Sequence, residues 1–175
     1  IMKTKVFIAM SLDGFIAGPN ESLDFLNPMQ LPDTDYGYAD FMAQIDTVIM
    51  GRKTYDKLLS FGGDFPFSSQ KCVVWSRQPR PTETQVQWHQ GPLNDLLLQL
   101  EQSGSQNIYA DGGQLITAML QLHKIDELII SVIPVLLGAG TPLFGNFDRP
   151  VSLRLLKHEA FASGLVQLRY QLVGS

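Results

Sequence analysis

Twice in this chain a short apolar run reaches glycine and passes at once into a helical pattern. "TVIM" (47–50) leads into "GRKTYDKLL", and "NIYA" (107–110) leads through Asp111-Gly112-Gly113 into "QLITAMLQLH". Runs this short and rich in β-branched residues read as buried strands, and a helix straight after each is the repeating unit of a parallel sheet. "KVFIAM", "KCVVWS", "VQWH" and the very apolar "ELIISVIPVLL" supply further strands, and "GFIAG" resumes the apolar pattern after the first of them. "PLNDLLLQLEQSG" is a helix with Leu93, Leu96, Leu97 and Leu100 on one side. "SLRLLKHEAF" and "LVQLRYQLV" flank Ser163-Gly164, which suits a tight hairpin turn. The order predicts an α/β sandwich whose sheet is mainly parallel, with an antiparallel hairpin at its C-terminal edge.

Between Gly18 and Asp35 the chain is rich in Asn, Pro, Asp and Ser and reads as a long loop, a type that is often functional. A helix is expected over 33–46, capped by Asp33 or Thr34, because Tyr38, Phe41, Met42 and Ile45 recur at helical spacing.

The 175 residues read as one domain over 1–175, and 45% hydrophobic residues suffice for a full core. The net charge of -4 disfavours nucleic acid or an anionic membrane as partner, since both select basic faces. It leaves room for an anionic small molecule, which needs only a local cluster of arginines and amides. The one cysteine, Cys72, lies in an apolar run and fits a buried strand residue in a reducing compartment. No apolar segment is long enough to span a membrane, and the lysine-bearing start runs into a strand pattern, so the chain reads as cytoplasmic. His89, His123 and His158 are too scattered to form a metal site.

Three strand ends carry groups suited to anions. At "VIMGRKTY" a helix opens on Gly51, Arg52, Lys53 and Thr54, and the amides of a helix N-terminus attract negative charge. A solvated first turn explains those residues equally well. A Walker P-loop does not, because it needs a glycine where Asp46 stands. Ser76 and Arg77 follow "KCVVW", and a guanidinium holds phosphate through a planar fork of donors. Gly112 and Gly113 either let a pyrophosphate approach the backbone or simply allow close packing. The "GxGxxG" fingerprint is absent. In open α/β sheets ligands gather outside the carboxyl ends of strands, so three such ends suit one long ligand with separated phosphates.

Asp35, Tyr38 and Met42 fall at i, i+3 and i+7, which puts this carboxylate on an apolar helical stripe. There its pKa would rise, and it could handle protons. The plainer reading is a first-turn aspartate favouring the helix dipole, and Asp13, Asp24 and Asp33 are competitors.

Taken in order, "SLDGFIAG", "DTVIMGRKTY", "VVWSR", "IYADGGQLITAML" and "IDELIISVIPVLLGAGTPLF" resemble the dihydrofolate reductase-like superfamily. The likeness is greatest to the group that includes the reductase (RibD C-terminal) domain of bacterial riboflavin biosynthesis. The resemblance implies a three-layer α/β sandwich with NADPH lying across the strand ends of a mostly parallel sheet. It implies that the Gly51–Thr54 segment, with Arg52 and Lys53, meets the cofactor phosphates. Arg52, Ser76 and Arg77 would surround the 2′-phosphate. Gly112, Gly113, Gln114 and Leu115 would support the pyrophosphate, and Ala9 and Ile16 would touch the nicotinamide. Asp35, sixteen residues before Gly51, matches the acidic residue of bacterial dihydrofolate reductases, and Phe25 stands near their substrate-facing tryptophan. "LLGAGTPLF" is similar to the riboflavin-pathway relatives and unlike the folate enzymes.

The expected function is an NADPH-dependent reductase of a small heterocyclic or carbonyl compound. One rival is a riboflavin-pathway pyrimidinone reductase acting on a ribosylamino-pyrimidine 5′-phosphate, and another is a nucleotide-binding module with a degenerate site. The apolar "ELIISVIPVLL", the loop after it and the long hairpin also predict a homodimer.

Overall fold

A computed structural model of the chain describes residues 1–174. The elements in order are β1 (Lys3–Ser11), β2 (Phe15–Ala17), α1 (Tyr38–Ala43), β3 (Thr47–Gly51), α2 (Arg52–Ser60), β4 (Lys71–Trp75) and β5 (Gln87–His89). They continue with α3 (Leu93–Gln102), β6 (Asn107–Asp111), α4 (Gly113–Gln121), β7 (Glu127–Ile133), β8 (Thr141–Pro142), β9 (Leu153–Ala160) and β10 (Val166–Leu172). Eight strands form one sheet in the order β5-β4-β3-β6-β1-β7-β10-β9, and β2 pairs separately with β8. The first six strands of that order run parallel, and β10 is antiparallel to both β7 and β9. This is the expected three-layer sandwich, with its antiparallel C-terminal edge.

Alternation along the strands divides the core. Val6, Ile49, Val73, Ile108, Ala110, Leu128 and Ile130 face α3 and α4, whose leucines and Met119 fill that layer. Val48, Met50, Cys72, Val74, Tyr109 and Ile129 face the opposite way, toward Phe41 of α1 and Tyr55 of α2. Cys72 is buried there, and burial pushes its thiol up to about 12, so it is an inert core residue. The hairpin closes as its sequence suggests, through bonds from Phe161 N to Leu165 O (2.9 Å) and from Gly164 N to Phe161 O (2.9 Å).

Two expectations change. The helix expected over 33–46 is only Tyr38–Ala43, because Tyr36 and Gly37 both take positive φ (56° and 88°) and turn the chain just before it. The run "ELIISVIPVLL" stops being a strand at Ile133, where Pro134 has no N–H to offer the ladder. The loop from Gly18 to Asp35 contains two 3-10 turns, at Pro19–Glu21 and Asp24–Met29. The second of these packs Met29 and Phe25 with Ala9 and Ile133.

Candidate active site

The carboxyl ends of β4, β3 and β6 lie side by side, so the three segments singled out above meet at one edge of the sheet. At the centre, Gly51 leads β3 into α2, and at its side Gly112 leads β6 into α4. Neither helix has a side-chain cap on its N-terminus. Their first-turn amides are left for another acceptor, and the helix dipoles point at the same place.

Gly112 holds φ at +104°, and a Cβ built on it would lie 2.5 Å from Thr54 Oγ1. A Cβ on Gly113 would lie 2.8 Å from Pro142 O and 3.5 Å from Ile16 Cδ1. The two glycines therefore press β6–α4 against the first turn of α2 on one side and against the β2–β8 pair on the other. Close packing by itself requires glycine at both positions, and it brings Thr54, Gly112, Gly113 and Ile16 together. Ala9 lies farther along, half-buried on β1 beside Phe25 and Met29. Gln114 is exposed, whereas the Leu115 side chain is buried in the core and offers only its backbone.

On the β4 side, Ser76 N donates to His89 O (3.0 Å), and the Ser76 hydroxyl accepts from Gln78 N (3.0 Å). Arg77 and Lys53 are exposed, and Arg52 pairs with Asp56 at 3.3 Å. The donors gathered here are two uncapped helix starts, two hydroxyls and three cationic side chains. That set fits a pyrophosphate and a separate phosphate monoester, so the residues present suit NADPH.

Asp35 is placed elsewhere than the helical spacing implied. It precedes α1, and its carboxylate accepts from Ala39 N and Gly37 N, both at 2.9 Å. Those two amides hold it below the usual carboxylate range, the reverse of the rise expected for a group on an apolar stripe. It is exposed and lines a groove of about 440 Å³ that reaches Lys5 and Glu127, at the amino ends of β1 and β7.

Among the described residues, the carboxyl group with a raised pKa is Asp111, the last residue of β6. Burial pushes it up to about 6, against a hydrogen bond from the Gly112 amide. It faces the α1–α2 layer, paired in register with Met50. Burial raises the hydroxyl pKa values of Tyr38 and Tyr109, and the charge of Asp111 raises both further. Tyr38 stands edge-on to Phe7, with ring centroids 5.6 Å apart. Sequence reasoning treated Asp111 only as the end of an apolar run. The available signal was alternation: Asp111 shares its face of β6 with buried Tyr109. Asp13, one of the competitors to Asp35, accepts from the Ser11 hydroxyl and from the amides of Leu137 (3.1 Å) and Gly138 (2.8 Å). It ties the turn after β1 to the loop after β7.

The sequence model of the RibD C-terminal domain matches residues 3–167. The chain belongs to the RibD C-terminal domain family. It is 36% identical over 170 residues to YwjB of Bacillus subtilis (strain 168), covering 96% of this chain and 97% of that protein. A crystal structure from Shewanella sp. PV-4, of a protein assigned to riboflavin biosynthesis, superposes with a TM-score of 0.91 at 37% identity, over 98% of this chain and 99% of that one. Dihydrofolate reductase from Enterococcus faecalis, solved with NADP(H), shares the fold at a TM-score of 0.69 and 14% identity, over 98% of this chain and 96% of that one. Membership of the RibD C-terminal family thus carries a dihydrofolate reductase-like architecture with it.

Proposed function

We propose that this RibD C-terminal family member is an NADPH-dependent reductase of a small heterocyclic or carbonyl compound, with Asp111 as the group that handles the proton. The observation that carries the reading is the meeting of two uncapped helix N-termini at Thr54 and Gly112, directly beside a carboxyl group, Asp111, whose pKa is raised to about 6. When bound, NADPH supplies the hydride from C4 of its nicotinamide. The first-turn amides of α2 and α4 would hold pyrophosphate oxygens, and Arg52, Ser76 and Arg77 would hold the 2′-phosphate. A carboxyl titrating about 6 keeps a usable share of its protonated form near neutrality, which suits a general acid. Tyr38 and Phe7 form an aromatic wall next to it. A riboflavin-pathway pyrimidinone as substrate is the second reading, and the relative from Shewanella favours it. The test is a turnover screen of pyrimidinones and small carbonyls at saturating NADPH, with calorimetric titration of NADPH alone. Tight NADPH binding with no turnover on any of them would favour a nucleotide-binding module with a degenerate site.

We also propose a homodimer formed through the C-terminal hairpin. Strand β9 is the outer strand of the large sheet, is exposed along its whole length, and carries Leu153, Leu155 and Leu156. An exposed edge with this much apolar surface is a template for pairing. Light scattering at micromolar concentration should give twice the 19.5 kDa chain mass, and Leu155→Asp should shift it toward monomer. A 19.5 kDa species alone would refute the dimer.

A further inference from the structure

Asp56 lies one helical turn below the anion-facing end of α2. Its carboxylate is shared: Oδ2 pairs with Arg52 Nη1 at 3.3 Å, and Oδ1 accepts from Arg80 Nη2 at 2.5 Å. Arg80 sits in the connection between β4 and β5, the segment that begins with Ser76 and Arg77. Its guanidinium lies over the rings of Tyr55 (5.4 Å) and Trp88 (5.2 Å), and its Nε pairs with Glu83 Oε1 at 3.0 Å. Tyr55 donates its hydroxyl to Glu83 (2.9 Å), Gln85 donates to the Tyr55 oxygen (3.0 Å), and Trp88 Nε1 donates to Glu83 O (3.1 Å). The Tyr55 ring itself is fully buried. These contacts tie α2 to the β4–β5 segment at several points.

A carboxylate beside Arg52 is, on electrostatic grounds alone, a poor choice for a phosphate site. It is an anion placed where another anion should bind, and it weakens the pull of the guanidinium. The placement makes sense if orientation matters more than raw charge. A long arginine side chain at a surface has much rotamer freedom to lose, and an i, i+4 partner restricts it in advance. Arg80 does the corresponding service for the other wall. Its planar group is gripped between two rings and two carboxylates, a combination that lysine cannot reproduce.

We propose that Asp56 and Arg80 are positioning residues for cofactor choice: Asp56 holds Arg52, and Arg80 fixes the Ser76–Arg77 segment at a set distance from the start of α2. NADPH selectivity then depends on both without either touching the cofactor. This rests on the NADPH reading above.

The experiment is calorimetric titration of NADPH and NADH against the full chain carrying Asp56→Asn, Arg80→Lys, Arg52→Ala and Arg77→Ala. Asp56→Asn and Arg80→Lys should each weaken NADPH by roughly tenfold, the scale of one lost charge-assisted contact. NADH affinity should stay within about twofold, since NADH lacks the phosphate these residues serve. In the Arg52→Ala background, adding Asp56→Asn should lower the NADPH/NADH ratio by less than it does in the wild-type chain, because only the arm through Arg80 is left for the carboxylate to act on. Unchanged or tighter NADPH binding by Asp56→Asn would make the carboxylate a mere competitor and overturn the proposal. Equal losses of NADPH and NADH would reduce the lock to general structure and overturn it as well. If Asp56→Asn does not fold, Arg80→Lys decides by the same two criteria. The underlying reading fails separately, if Arg52→Ala and Arg77→Ala leave the NADPH/NADH ratio where it was.

Discussion

Asp35 and Asp111 are chemically identical groups on the same side of the sheet, and their surroundings drive them in opposite directions. Asp35 stands in water at the entrance to α1, with two amides donating to it. Asp111 ends a strand, partly buried beside Met50 and Ala110, and receives one amide, from Gly112. Donors to the charged form lower a carboxyl pKa and loss of water raises it, so the first residue is favoured as an anion and the second is pushed toward its protonated form. A carboxylate's position along a helix therefore says less about its chemistry than the number of amides aimed at it and the water it has lost.

The sharpest way to break this contrast is kinetic. Asp111→Asn should lower kcat by roughly 10²–10⁴-fold and leave the NADPH dissociation constant unchanged, as read by stopped-flow NADPH oxidation on any substrate found. Asp35→Asn should keep turnover within about twofold under the same conditions, as expected for a group outside the proton path. The opposite pattern would return the proton to Asp35. Next in size is the cofactor arm of the site. Each charge-assisted contact to the 2′-phosphate is worth roughly 1.5–3 kcal/mol, so the wild-type protein should prefer NADPH over NADH by at least about tenfold, and Arg52→Ala with Arg77→Ala should abolish that preference.

Stability against pH gives a smaller signal with opposite signs for the two acids. Asp111 binds its proton more tightly folded than unfolded. Its contribution is therefore full below about pH 4 and is lost as pH rises through about 6. That loss amounts to roughly 3 kcal/mol, and denaturant melts of Asp111→Asn should lack it. Asp35 works the other way: its contribution is present above the ordinary carboxylate range and is lost as pH falls below it. The smallest effect is that of the two amide bonds to Asp35 alone, where Asp35→Asn should lower Tm at neutral pH by no more than roughly 2–4 °C.

The sequence showed the sheet well because its signals are local. "TVIMGRKTY" and "NIYADGGQLITAML" each hold a strand, a turn and a helix in one stretch, and these became β3–α2 and β6–α4. The end of α1 nearest Asp35 was misread because helical spacing continued through Tyr36 and Gly37, where the backbone in fact turns left-handed. Asp111 was passed over for a different reason. What raises its pKa is loss of water at a place whose neighbours, such as Tyr38 and Cys72, lie far away in the chain and are brought near only by the fold. The Asp56–Arg80 contact was invisible on the same grounds, since nothing in either local pattern names the other.

The place of β1 has a consequence for how the chain is made. Strand β1 is made before the other described strands and lies in the middle of the sheet, with Lys3 opposite Asn107 and Lys5 opposite Glu127. Both of its neighbours are synthesised more than half a chain later. Until β6 has emerged, "KVFIAMS" is an apolar segment with two unpaired edges, and one edge stays open to non-native pairing until β7 follows. High contact order of this kind slows folding, and nascent chains halted before residue 127 should remain protease-sensitive and bound to holdase chaperones.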